Sequence, residues 1–326
     1  MNFDLDLRFL SQYRLSFMGV AIFWVFFYHT GVTILGLREL FSVGWIGVEI
    51  FFLVSGFGLS QSLSKDANLL RFYKRRFVRI VPTWLAILLL MHIVGYVAGF
   101  NIPHTWSEYI EYYTGVGWWL GGMFYEWYMP TLIAFYIIVP FLQKLSDKTL
   151  IVVIISSVIG GMLLHEFRLL EHIYMSYQRI PIFIMGFLLY RLSKKEVKIN
   201  LWWSLPIFIL ALFVFGYSYT FKESDLILSL EMKRYAMLVL ILPMLWALSW
   251  ILKMVPKVTN QMNFLGVLSM EIYLLHINHN QSVLVCDFIN SYVGPSLTKI
   301  IYFVLVVSVA WFVHTLMEFI KNRVSA

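Results

Sequence analysis

Apolar residues in this chain fall in runs too long for the interior of a water-soluble fold. SFMGVAIFWVFFYHTGVTIL, Ser16 to Leu35, is about the length that crosses a hydrocarbon core as a helix. Ten segments have the length and hydropathy of spans, near 15–35, 44–62, 80–99, 127–143, 149–165, 175–190, 201–219, 235–252, 263–283 and 298–319. The pattern predicts an all-α polytopic membrane protein of about ten transmembrane helices. No stretch reads as a separate soluble domain, so residues 1–326 are expected to form a single ten-helix membrane domain.

Polar residues inside the apolar runs stand out because lipid solvates them poorly. His29 lies in the first run and Glu49 in the second, GWIGVEIFFLVSGFGL. An ionisable group at that depth is a functional-site candidate by default. Each lies about five or six residues from the outer end of its span, so at ~1.5 Å per residue the two share a depth on adjacent antiparallel helices. A carboxylate accepting from one ring nitrogen fixes the tautomer of the other. That leaves a base for a hydroxyl proton, and the bland alternative is a satisfied pair that only fixes packing. His276, in SMEIYLLH, also falls in the outer half of its span, with Glu271 deeper. His92, His279 and His314 fit a packed core or an interface, while His104, His165 and His172 fall in outer loops.

Composition supports the membrane assignment: 60% of residues are hydrophobic and 13% charged, against roughly 25% charged in soluble domains. One cysteine, Cys286, excludes an internal disulfide framework and a multi-thiolate metal site. The opening MNFDLDLRFL has no basic leader and no small-residue cleavage site, so the first span is expected to be retained. With both termini in the cytoplasm, Arg38, Arg168, Arg179, Lys222, Lys233, Arg234 and Lys299 lie on the outer side, and the other 18 of the 25 lysines and arginines lie inside. The net charge of +7 is therefore mainly a topology signal and not a nucleic-acid footprint.

Two segments carry further chemistry. RFYKRRFVRIVP, after the second span, holds Arg71, Lys74, Arg75, Arg76 and Arg79, with Pro82 fitting the opening of the third span. The cluster suits anionic lipid, and it also suits a phosphate clamp. Residues 100–127 hold Phe100, Trp106, Tyr109, Tyr112, Tyr113, Trp118, Trp119, Phe124, Tyr125 and Trp127 beside Glu108, Glu111 and Glu126, with no lysine or arginine. An interfacial aromatic belt explains such a segment. So does a sugar-acceptor site of flat rings beside carboxylates.

Five stretches in order resemble acyltransferase family 3, a family of integral-membrane proteins: MGVAIFWVFFYHTG (18–31), GVEIFFLVSGF (47–57), RRFVRIVPTWL (75–85), WYMPTLIAFYIIVPFL (127–142) and LGVLSMEIYLLH (265–276). The resemblance implies a ten-helix core in the cell (plasma or inner) membrane. It also implies transfer of an acyl group, often acetyl, from acyl-CoA to a hydroxyl of a cell-surface or exported carbohydrate. His29 and Glu49 take the catalytic slots; Arg76 and Arg79 match the basic step, and Ser269, Tyr273 and His276 the late signature. The family's arginine eleven residues before its histidine is absent, since that slot is Met18; Arg14, one turn earlier, is expected to replace it. Arg14, Arg76 and Arg79 are thus candidate donor-binding residues, and Trp119, Glu126, Trp127, Tyr273 and His276 candidate acceptor-binding ones. Acyl-CoA is the co-substrate; no permanently bound cofactor, metal or nucleic acid is implied. A proton-coupled transporter or flippase is the alternative for buried His and Glu, and the chain shows no inverted repeat that would favour it.

Overall fold

The computed structural model describes residues 4–31, 38–99, 102–121, 126–220, 229–277 and 279–325. Phe100, Phe124 and Tyr125 of the aromatic segment, and Lys222, lie outside these residues, as does the side chain of His279. The helices are α1 (Phe9–Gln12), α2 (Arg14–Thr30), α3 (Arg38–Ser42), α4 (Ile46–Lys65), α5 (Leu69–Ala98), α6 (Trp106–Thr114), α7 (Val116–Leu120), α8 (Tyr128–Lys144) and α9 (Asp147–Glu166). They continue as α10 (Tyr174–Tyr177), α11 (Ile180–Lys194), α12 (Leu201–Thr220), α13 (Ser229–Met254), α14 (Pro256–Val267), α15 (Ser269–His276), α16 (His279–Val293) and α17 (Pro295–Ser325). Among the described residues, one ribbon departs from the all-α pattern. Its strands β1 (Asp4–Asp6) and β2 (Lys198–Asn200) pair antiparallel with Leu5 opposite Ile199.

Five helices among the described residues are long and apolar enough to cross a bilayer: α4, α5, α9, α13 and α17. Their surroundings differ. In α4, 83% of the most apolar stretch is buried, whereas in α9 the share is 11%. Ile151, Ile155, Ile159 and Leu163 form an exposed stripe at four-residue spacing along α9. Water would penalise that continuous apolar face, and lipid does not.

Three segments differ from their sequence expectation; the sixth span, 175–190, is interrupted at Gln178 and Arg179 between α10 and α11. The basic stretch after α4 is no loop. Asn68 caps α5 by accepting from the Arg71 N–H at 2.9 Å, and the helix runs from Leu69 through Pro82. The ninth span, 263–283, is broken into α14, α15 and the start of α16, with the second break directly after His276.

The chain divides into two compact units. The first holds Met1–Phe17, Glu49–Asp66 and Thr131–Asn260; the second holds Met18–Val48, Ala67–Pro130 and Gln261–Ala326. In the first, α4 and α11 touch backbone to backbone. A Cβ on Gly56 would strike the Phe183 carbonyl, and one on Gly186 would strike the Leu53 carbonyl. Small residues allow this approach, which is how helices associate where water supplies no hydrophobic drive. The Phe183 ring packs at a tilt on Phe135 at 4.6 Å, and Phe135 meets Phe52 edge-on at 5.3 Å, closing the layer. At the end of α8, Arg191 donates to the Leu142, Gln143 and Leu145 carbonyls and pairs with Asp147 of α9 at 3.2 Å. One guanidinium thereby satisfies the orphan end of one helix and the opening acid of the next.

In the second unit the same device holds α2. A Cβ on Gly19 would strike the Met262 carbonyl of α14, and one on Gly47 the Ala21 carbonyl. Gly56→Val should lower the thermal midpoint of the detergent-solubilised protein, with an overpacking cost of about 1–3 kcal/mol. Gly160→Val, at a position with open space around it, should leave the midpoint nearly unchanged in the same assay.

Candidate active site

His29 lies in the last turn of α2, and Gly31 at φ +62° turns the chain immediately afterwards. As a residue His29 is exposed. Its Nδ1 lies 3.0 Å from Nε2 of His276, the last residue of α15, which is 2% exposed. The Nδ1 of His276 in turn lies 2.7 Å from the carbonyl oxygen of Ile272.

These two distances fix the direction of the network. A carbonyl only accepts, so Nδ1 of His276 carries the hydrogen. Neutral imidazole has one donor and one acceptor, so Nε2 of His276 accepts and Nδ1 of His29 donates to it. Nε2 of His29 is left with the lone pair, beyond the bonded chain. The assignment follows from the network rather than from visible hydrogens.

Aromatic rings hold this pair. Phe26 lies 5.2 Å from the His276 ring and 5.4 Å from Tyr302, and Tyr273 meets His276 edge-on at 5.7 Å. The helix break after His276 leaves its carbonyl without an intrahelical partner. Ser282 donates to that oxygen at 2.9 Å and shares a 2.8 Å hydrogen bond with the Tyr302 hydroxyl. Since the Ser282 hydrogen goes to the carbonyl, Tyr302 donates to Ser282. Nearby on α15, Glu271 bonds Nδ1 of His314 at 2.8 Å, tying α15 to α17.

Glu126, Trp127 and Tyr273 fall in the same unit as the histidine pair. Glu126 stands just before α8, 4% exposed, and accepts from the Met129 N–H at 2.9 and 3.0 Å. Burial pushes its carboxyl up to about 8, and the amides of Met129 and Tyr128 only partly oppose this. Tyr128, the first residue of α8, packs on Tyr273 at 4.9 Å, and Trp127 lies 6.2 Å from Tyr128 and 6.4 Å from Trp118. Trp119 is the neighbour of Trp118 on α7, half-buried. A neutral, buried Glu126 can donate a hydrogen bond as well as accept one.

Glu49 has a partner the sequence did not single out. Its Oε1 lies 3.3 Å from Nε of Arg179, with both side chains 4% exposed. The contact is an ion pair rather than a straight hydrogen bond, because the N–H does not aim at the oxygen. Arg179 also donates to the Met175 carbonyl at 3.2 Å and to Gln178 Oε1 at 3.4 Å. Arg179, which the sequence groups with the outer-segment cations, is buried and pairs with the Glu49 carboxylate, so that each charge has a counter-charge beside it. One ring nitrogen of His29 bonds His276.

The candidate donor-binding arginines lie in different settings. Arg14 opens α2, half-buried, and its guanidinium packs so closely on α4 that a Cβ on Gly58 would strike it. Arg76 lies on the inward stripe of α5 with Phe72 and Ile80, its guanidinium 5.5 Å from the Phe72 ring. Arg79 is exposed.

Sequence alone offered no sign of Ser282 or Tyr302. For Arg179 the sign was available: it is the one charge in YMSYQRIPIFIMGF, directly before a helix opened by Pro181.

Arg179→Met should strip Glu49 of this cation and cost about 3–5 kcal/mol, while Glu49→Gln with Arg179→Met should recover most of that loss in thermal unfolding. Glu126 gives a pH signature. Its folded-state value lies above the ordinary 4.5, so its contribution is full below that value and is lost as pH rises towards 8. The thermal midpoint of the wild type should fall across that window relative to Glu126→Gln, in which this component is absent.

Comparison with known proteins identifies the family of the chain. The acyltransferase family 3 profile, described as an acyltransferase domain, matches residues 19–315, which run through both units. A protein of Acidianus two-tailed virus, printed as "Putative acetyltransferase ORF330", is 27% identical over 275 residues, covering 79% of this chain and 80% of its own. No solved structure matches the chain significantly. With the family profile covering nearly the whole sequence, this chain belongs to acyltransferase family 3.

Proposed function

We propose that the protein is a membrane O-acyltransferase that moves an acyl group, acetyl above all, from acyl-CoA to a hydroxyl of a cell-surface or exported carbohydrate, in the cell membrane. The observation that carries this reading is the directed chain from the Ile272 carbonyl through His276 to His29. It leaves one nitrogen, Nε2 of His29, as a base outside the bonded chain.

In this reaction Nε2 takes the proton of the acceptor hydroxyl as its oxygen attacks the thioester carbonyl. The tetrahedral intermediate collapses by expelling the thiolate, and the proton held by His29 passes to the sulfur. The products are an ester and the free thiol of CoA. A positioned base supplies about 10²–10⁴-fold, and holding the two reactants together supplies the larger part of the rate. A thioester is already an activated acyl group, so the protein has no stable leaving group to activate.

His276 acts through His29. While Nδ1 of His29 donates to it, the imidazole is held in one tautomer and one orientation. The positive charge that forms on His29 is spread into a hydrogen-bonded neutral ring. Arg14 and the α5 arginines Arg76 and Arg79 supply cations for donor phosphates. Glu126, Trp119, Trp127 and Tyr273 supply a carboxyl and flat rings for a sugar. The viral relative's name as an acetyltransferase supports acetyl as the transferred group.

His29→Ala should abolish release of CoA thiol from labelled acetyl-CoA and acylation of glycan, with protein still in the membrane. His276→Gln should lower the rate by about 10–100-fold with a displaced pH profile, because the amide holds the His29 ring without the carbonyl-directed tautomer. Near-normal acylation by the His29 variant would remove the assignment.

A further inference from the structure

A groove of about 960 Å³ in the first unit has no role in the chemistry above. Its volume lies in the range of small-ligand sites. One wall is the last two turns of α13, where Trp246, Ser249, Trp250 and Lys253 follow at three- and four-residue spacing and so share a face. The two indoles stand 5.9 Å apart at 71°, and Trp250 is 54% exposed. The facing wall is the chain before α2, from Asp4 to Tyr13.

The charges within it are unequally engaged. Asp6 and Arg8 neutralise each other through a 2.8 Å Nε contact and a second from the guanidinium. Among the described residues, Asp4 and Lys253 have no ion-pair partner. The groove therefore offers two flat indole surfaces, one carboxylate acceptor and one cation. That set fits a planar base carrying an amino group and a phosphate: ring on indole, amine to Asp4, phosphate to Lys253. It fits a bare sugar poorly, which has no phosphate to use Lys253. The groove also ends at Tyr13, and the next residue is Arg14, whose guanidinium lies against Gly58.

We propose that this groove binds an adenine nucleotide, namely the nucleotide end of the acyl-CoA donor, with Trp250 as the stacking platform and Lys253 as the phosphate contact. The identity of the ligand as CoA rests on the donor assigned above; the groove's preference for a base with phosphate rests on its own residues.

The test is isothermal titration of the purified full-length protein in detergent with CoA and, separately, with adenosine 3′,5′-bisphosphate. The wild type should bind both. Trp250→Ala should weaken both by about tenfold or more, the usual cost of losing one base–aromatic stack. Lys253→Ala should weaken both severalfold and flatten the salt dependence. Trp311→Ala, an equally exposed tryptophan on α17, should bind as the wild type does. Since Trp250 and Lys253 are surface residues, the variants should keep the wild-type thermal midpoint. Wild-type affinity for CoA in both groove variants overturns the groove and leaves the donor assignment standing. No binding of CoA by the wild type removes the donor assignment and the groove together.

Discussion

The hydrogen bond between His29 and His276 matters because of its direction, and the direction comes from a backbone atom. A carbonyl one turn back in α15 has no proton to give, so it settles which nitrogen of His276 is protonated and then which nitrogen of His29 is not. In many catalytic sites a carboxylate performs this office. Here a peptide group does so, and no net charge is added to a site already costly to place beside lipid. The short helix α15 exists in this form because the chain breaks on both sides of it. The second break frees the His276 carbonyl, and Ser282 and Tyr302 then hold it.

Elsewhere polar and charged groups link the helices. Glu49 with Arg179 is a buried pair, Asp147 with Arg191 and Lys195 a partly exposed set, and Glu271 with His314 a hydrogen bond from α15 to α17. Such sets stabilise little against well-packed apolar alternatives. Their value is that a misplaced helix would leave one member unpaired, so they penalise wrong arrangements more than they reward the right one. Glu126 follows a different rule: it has helix amides rather than a cation, and burial dominates.

Much of the fold was legible from apolar periodicity, because lipid forces backbone groups to pair within helices and leaves long runs as the only solution. The expected spans fall on helices, five of them long and apolar enough to cross a bilayer, with His29 in the last turn of α2 and Glu49 in the first turn of α4. The ninth span was misread because hydropathy does not register a break: SMEIYLLHIN is as apolar as its neighbours, and the interruption depends on Ser282 waiting to take a carbonyl. The extension of α5 through RFYKRRFVRIVP was missed for the opposite reason, since charge ends a membrane segment without ending a helix. The candidate site was half legible. His29 and His276 stand out as ionisable residues in apolar runs, but nothing in the sequence pairs them, because depth in a span carries no information about which face of a helix is presented. The Glu49–Arg179 contact was hidden for the same reason.

The glycine contacts between α4 and α11 have a mechanical consequence. Side chains between two helices act as a compliant spacer, able to change rotamer while the axes shift. Gly56 and Gly186 remove that spacer, so the peptide planes of the two helices bear directly on each other. Sliding one along the other would drive carbonyl oxygens into α-carbons at once. This pair is thus a stiff beam within its unit.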